Sequence, residues 1–257
     1  MNVQGKRITV FGMGGSGRAT LELLRRHGAV VRASDSRVRE ALGEFDAEFV
    51  PQSEAALADC NIAVLSPGVP PDQKLFRDAV ERGVKLVGDV EAASWFLRGP
   101  VIGITGANGK TTTTALVGHL LESAGIACQV GGNIGTPVAA LVDSSRDDQW
   151  NVLELSSFQL ETSVTLRVQI AAVLNITPDH LDRHYTFENY TAAKARILAN
   201  QQSGDYAVLN AENEPTAGLA KLARGQVRWF NAGGESRPGF WCEDEQLVAD
   251  GAPFMPR

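Results

Sequence analysis

Eight consecutive residues, Thr105-Gly106-Ala107-Asn108-Gly109-Lys110-Thr111-Thr112, combine two glycines, one cation and a run of hydroxyls. Glycines let backbone N–H groups turn inward around an anion. In such a loop Lys110 reaches the outer phosphates of a nucleoside triphosphate, and the Thr111 hydroxyl ligates Mg²⁺. The loop departs from the full G-x-x-x-x-G-K-[S/T] pattern, because Ile104 stands where the first glycine belongs. A second loop, Gly12-Met13-Gly14-Gly15-Ser16-Gly17, has the G-x-G-x-x-G spacing that brings a backbone close to a pyrophosphate. Asp35 follows about 20 residues on, where an acid holds a ribose. Alone, this loop reads as a nicotinamide-dinucleotide site, with a purely structural glycine turn as the alternative. A hydride-transfer enzyme has no use for the triphosphate loop, so the pair points to two nucleotide-bearing ligands.

Further polar residues lie downstream. Glu154 ends the apolar run 152–155 and either holds Mg²⁺ from a strand end or faces solvent. His180 and His184 have i, i+4 spacing, but the intervening Glu of a zinc helix and a third ligand are missing, so zinc is not expected. By residue type alone, His180 reads as a structural hydrogen-bonder and Lys194 as a surface lysine laid along small apolar neighbours. Gly131-Gly132-Asn133-Ile134-Gly135 is a third glycine loop, either a strand-to-helix connection or a ligand contact.

These residues need strand ends and helix starts to hold them. Strands are predicted at 7–11, 29–33, 62–65 and 85–87, alternating with helices at 16–27, 72–82 and 89–97. Gly99-Pro100 breaks the series and serves as a linker. Strands at 101–105, 152–155, 170–175, 207–210 and 227–230 then alternate with helices at 110–123, 187–200 and 212–224. A hairpin is expected over 240–254, turning at Asp250-Gly251. Alternation of this kind predicts βαβ units and parallel sheets.

The 257 residues suffice for one large or two modest domains, and 44% hydrophobic with 21% charged residues is an ordinary globular balance. With 24 basic and 30 acidic side chains the net charge is −6, which offers no basic surplus for nucleic acid or anionic membrane. The three cysteines (Cys60, Cys128, Cys242) are widely spaced and fit a reducing cytoplasm. No signal pattern opens the chain, and no apolar run approaches ~20 residues, so neither export nor membrane insertion is expected.

The motifs together resemble those of the Mur ligase family. They are the two loops above, Ser34-Asp35-Ser36-Arg37, Ser66-Pro67-Gly68-Val69, Val87-Gly88-Asp89-Val90-Glu91, the third glycine loop, Leu153-Glu154-Leu155-Ser156-Ser157-Phe158-Gln159-Leu160-Glu161, Asn175-Ile176-Thr177-Pro178-Asp179-His180-Leu181-Asp182-Arg183, and Ala193-Lys194. The resemblance implies an α/β protein: a Rossmann-like UDP-substrate domain (1–98), then a P-loop-type central ATP domain (99–257), truncated before a C-terminal domain. It implies a cytoplasmic, monomeric ATP-dependent ligase that adds D-glutamate to UDP-N-acetylmuramoyl-L-alanine. The UDP end would lie near Gly14, Ser16, Asp35, Ser36, Arg37, Ser66, Pro67 and Gly68, with Asn133, Ser156 and Gln159 on the rest of that substrate. ATP would sit on Gly106, Ala107, Asn108, Gly109, Lys110, Thr111 and Thr112. One Mg²⁺ would be held by Thr111 and Glu154, a second by His180 and a carbamylated Lys194. Lys110, Glu154, His180 and Lys194 would be the catalytic set. A carbamate suits this role because it turns a cationic lysine into an anionic oxygen donor.

Overall fold

Short aliphatic runs buried on both faces make parallel strands, and two such sheets organise the chain. The computed structural model describes residues 1–233, 238–243 and 245–256, with backbone only at 254–256. Its first elements are β1 (Arg7–Phe11), α1 (Gly15–Arg26), β2 (Val30–Ser34), β3 (Glu48–Phe49), β4 (Ile62–Leu65), α2 (Lys74–Glu81), β5 (Lys85–Gly88) and α3 (Asp89–Ser94). The sheet order is β3-β2-β1-β4-β5, all parallel. One face buries Ile8, Val10, Leu21, Leu24, Ala33, Ile62 and Val64. The other buries Phe11, Ala63, Leu65 and Phe76, where the Phe11 and Phe76 rings meet edge-on at 4.9 Å. Gly17 lets α1 press onto the preceding loop: a Cβ there would stand 1.8 Å from the Gly12 carbonyl oxygen.

The second series is β6 (Val101–Thr105), α4 (Lys110–Ser123), β7 (Cys128–Gly132), α5 (Val138–Leu141), β8 (Trp150–Glu154), α6 (Ser157–Leu160), β9 (Ile170–Val173), α7 (Leu181–His184), α8 (Phe187–Ala195), β10 (Tyr206–Asn210), α9 (Glu214–Ala217), β11 (Gln226–Phe230), β12 (Gly239–Glu243), β13 (Gln246–Ala249) and β14 (Ala252–Pro256). The sheet order is β14-β13-β12-β11-β10-β9-β6-β8-β7. β6 lies parallel to β8 and β9, and parallel pairing continues through β12. β12, β13 and β14 pair antiparallel, with the last turn at Asp250-Gly251, so the expected hairpin is part of a three-stranded meander.

Most predicted elements form, with shifted ends. The helix predicted over 212–224 is α9 followed by a 3₁₀ turn, Gly218–Leu222, with Gly218, a poor helix former, at the junction of the two. The helix predicted over 187–200 leaves α-geometry at Ala195 and ends in a 3₁₀ turn, Arg196–Leu198. β3 and β7 were not predicted: the first has two residues, and the second carries Gly131-Gly132.

By its contacts the chain forms two compact units. The first is Met1–Gly99 with Gly131–Asp147 and Phe158–Leu166; the second is Pro100–Val130, Asp148–Ser157 and the chain from Arg167 onward. The change at Gly99/Pro100 is therefore followed by two returns to the first unit. The first return places α5 against α1 and α3, burying Val138, Ala139 and Leu141. The second is held by Glu91, whose wholly buried carboxylate accepts from the Val164, Thr165 and Leu166 backbone N–H groups, the Thr165 hydroxyl and Trp95 Nε1.

Candidate functional site

β6 stays extended through buried Ile104 and Thr105, so the loop begins only at Gly106. That is why a β-branched residue occupies the position of the first glycine. Gly109 adopts φ +81°, ψ −4° and delivers the chain into α4. The Lys110 side chain folds back over the loop, its Nζ donating to the Gly106 and Ala107 carbonyls at 3.0 and 2.9 Å. Parallel pairing sets Ile104 opposite Glu154, which brings the end of β8 beside the start of α4. There the Thr111 hydroxyl donates to Glu154 Oε2 at 2.8 Å, and Glu154 is only 2% exposed. Glu154 is thus a buried acid, not a solvated strand end.

Lys194 overturns the reading from residue type. It is 2% exposed, with Nζ 2.8 Å from the Gly106 carbonyl oxygen, 3.5 Å from Thr105 Oγ1 and 4.7 Å from the Tyr190 ring centre. Burial first, and then the nearby Lys110 charge, lower its pKa to about 7, with Asp179 opposing. His180 heads α7 with φ +51°, its ring half-exposed, Nε2 3.5 Å from Asp179 Oδ2. The His180 and Tyr190 ring centres are 6.5 Å apart. His184 lies against the same ring, the two centres 5.5 Å apart; it is buried, and its Nε2 lies 3.0 Å from Ser157 Oγ. Burial is the main cause of its lowered pKa.

In the first unit, Ser66 Oγ donates to the Gly12 carbonyl at 2.7 Å and steadies the loop at its φ +89° glycine. Asp35 is 5% exposed and fully engaged. It accepts from the Met13 N–H at 2.7 Å, the Arg37 N–H at 2.9 Å, and Arg37 Nε and Nη2 at 3.0 and 2.9 Å. The Arg37 guanidinium leads in holding its pKa well below the carboxylate range. Ser16 hydrogen-bonds to Asp89, a buried acid that desolvation raises to about 6. Asp35 and Ser36 line a cavity of about 600 Å³ with Pro51, Gln52, Gln73 and Lys74. Gly68 is exposed and Pro67 half-buried.

The expected residues therefore gather as two groups. Gly106, Ala107, Asn108, Gly109, Lys110, Thr111, Thr112, Glu154 and Lys194 surround the start of α4, with His180 reaching the same Tyr190 ring as Lys194. Gly14, Ser16, Asp35, Ser36, Arg37 and Ser66 surround the β1–α1 loop. Asn133 (exposed) and Gln159 (buried) belong to the first unit through its later segments, and half-buried Ser156 belongs to the second. Tyr190, Asn175 and Asp89 escaped the residue-by-residue reading. Only a polar residue at a strand end, as at Asn175 and Asp89, offered a signal.

The Mur ligase middle domain family matches residues 104–253, and the Mur ligase MurD-like N-terminal domain family matches residues 6–88. The UDP-N-acetylmuramoylalanine–D-glutamate ligase of Solibacter usitatus is 50% identical over 258 residues, covering 99% of this chain and 58% of that protein. The chain spans about half the length of the curated relatives it matches. Among solved structures, the UDP-N-acetylmuramate:L-alanyl-γ-D-glutamyl-meso-diaminopimelate ligase from Neisseria matches with TM-score 0.61 at 17% identity, covering 97% of this chain and 86% of that one. The Thermotoga maritima MurF ligase in complex with ADP matches with TM-score 0.51 at 17% identity, covering 98% and 55%. At these identities the structural likeness concerns the fold.

Proposed function

The chain belongs to the Mur ligase family, and from that premise we propose that it supplies the UDP-substrate and ATP sites of a ligase that joins D-glutamate to UDP-N-acetylmuramoyl-L-alanine. The observation that carries this reading is the convergence of Lys110, Lys194 and the Thr111–Glu154 pair on the loop that opens α4. Support also comes from the ligase of the same name at 50% identity and the ADP-bound structural neighbour.

A carboxylate does not acylate an amine at neutral pH. In the proposed reaction the L-alanine carboxylate attacks the γ-phosphorus of ATP, ADP departs, and an acyl phosphate forms. The D-glutamate amine then attacks the acyl carbon and inorganic phosphate leaves. Lys110 moves from the loop carbonyls to the transferring phosphoryl group and disperses its charge. The 106–112 loop binds and orients the triphosphate, and residues 1–98, with Asp35, Ser36, Arg37, Ser16 and Ser66, take the UDP end.

The donor set fits Mg²⁺ at Thr111 and Glu154, where a hydroxyl and a buried carboxylate already meet at 2.8 Å. Bound there, Mg²⁺ would neutralise phosphate charge. His180 and Lys194 fit a second ion only if Lys194 changes chemically, since its amine donates to a carbonyl. Neutral amine plus CO₂ gives carbamate plus a proton, and an amine with a pKa of about 7 is substantially neutral at physiological pH. Three unpaired cysteines fit a cytoplasmic setting, and no helix among the described residues is long and apolar enough to cross a membrane.

The test is Lys110→Ala in the protein extended to the length of its relatives. ADP release dependent on the UDP substrate should fall at least ~100-fold. Release at the wild-type rate would refute the assignment.

A further inference from the structure

The triphosphate loop has a brace that lies outside its own motif. Asn175 follows the end of β9 and meets the loop three times. Its backbone carbonyl accepts from the Ala107 N–H at 2.9 Å. Its side-chain Oδ1 accepts from the Asn108 N–H at 2.9 Å, and its Nδ2 donates to the Asn108 carbonyl at 3.1 Å. The approach is tight beside Gly106. A Cβ on Gly106 would lie 3.1 Å from Leu174 Cβ and 3.4 Å from the Asn175 nitrogen. Asn175 is itself held on both flanks. The Leu174 carbonyl accepts from Asn210 Nδ2 at 2.9 Å, and the Ile176 N–H donates to Asn213 Oδ1 at 3.0 Å. The Leu174 N–H donates to the Thr105 carbonyl at 2.9 Å.

This arrangement divides the loop's amides. The N–H groups of Ala107 and Asn108 are committed to Asn175. The first N–H-to-carbonyl bond of α4 runs from Thr113 to Gly109. The amides of Gly109, Lys110, Thr111 and Thr112 therefore precede the helical ladder. We infer that Asn175 is the positioning residue that sets the shape of the phosphate loop, by holding the Ala107 and Asn108 amides away from the triphosphate. This rests on the ATP reading above.

Asn175→Ala removes both side-chain bonds but keeps the backbone one. Asn175→Asp keeps an acceptor for Asn108, loses the donor and adds a negative charge near the triphosphate. The experiment is calorimetry of this chain with MgATP and, separately, with UDP, together with amide NMR and hydrogen exchange. Asn175→Ala should weaken MgATP about 10-fold, leave UDP affinity within two-fold, and speed exchange at Asn108 several-fold. Asn175→Asp should weaken MgATP further. In the wild type, MgATP should shift the amides of residues 109–112 far more than those of Ala107 and Asn108. Unchanged MgATP affinity in both variants, equal losses of MgATP and UDP, or unchanged exchange at Asn108 would overturn the role of Asn175. A wild-type chain that binds UDP but not MgATP would overturn the ATP reading and this inference with it.

Discussion

Lys194 buries an amine against a second lysine, and the physical consequence is measurable. Its pKa of about 7 lies below the ordinary 10.5, so between those values the unfolded chain holds a proton that the native chain does not. Stability should therefore rise with pH across about 7 to 10.5, with a slope of at most ~1.4 kcal/mol per pH unit from this group. Below 7 both states are protonated and the native state carries the full burden of a buried cation. In CO₂-free, Mg²⁺-free buffer, Lys194→Met should flatten that limb of the urea-midpoint profile. An unchanged profile would mean that the amine is solvated. Residue type misleads here because a lysine beside alanines looks the same in sequence whether its tip reaches water or the Gly106 carbonyl. Asp35 is the opposite case. Its position after β2 is legible, but its engagement by Met13 and Arg37 is not.

At the scale of elements, α3 does more than close the first sheet. Glu91 gathers three backbone N–H groups, a threonine hydroxyl and an indole N–H, and the Gly88 N–H donates to the Thr162 carbonyl at 3.2 Å. Glu91→Ala would strand these donors and should cost about 3 kcal/mol or more, read as a fall in urea midpoint. A surface-like loss below ~0.5 kcal/mol would contradict the burial. These donors hold the Glu91 pKa below its ordinary 4.5 against the opposing effect of desolvation. Its contribution is therefore present above about pH 4.5 and disappears as pH falls through the lowered native value. Element order was largely legible because period-2 and period-3.6 patterns are local. Element ends were not, since 3₁₀ turns at 196–198 and 218–222 answer to packing more than to propensity.

For the whole molecule, the discontinuous first unit makes a distinct prediction. Met1–Gly99 contains a complete five-stranded sheet, yet α5 and the 158–166 segment belong to the same unit. Expressed alone, 1–99 would expose the α1 and α3 surfaces that Val138, Ala139 and Leu141 cover, and would strip Glu91 of its partners in 164–166. It should show broad amide resonances and a midpoint well below that of the 257-residue chain. A fragment of undiminished stability would make the two returning segments ornamental. The amino-acid sequence by itself determined the α/β class, the two glycine loops and their strand and helix flanks, because turns, caps and periodicity depend on near neighbours. Tertiary structure alone decided that Lys194 reaches Gly106 across 88 residues, that Asn175 braces Asn108 across 67, and that Glu91 holds Thr165 across 74. Burial, charge environment and hydrogen-bond partners are properties of such distant encounters, and no local pattern encodes them.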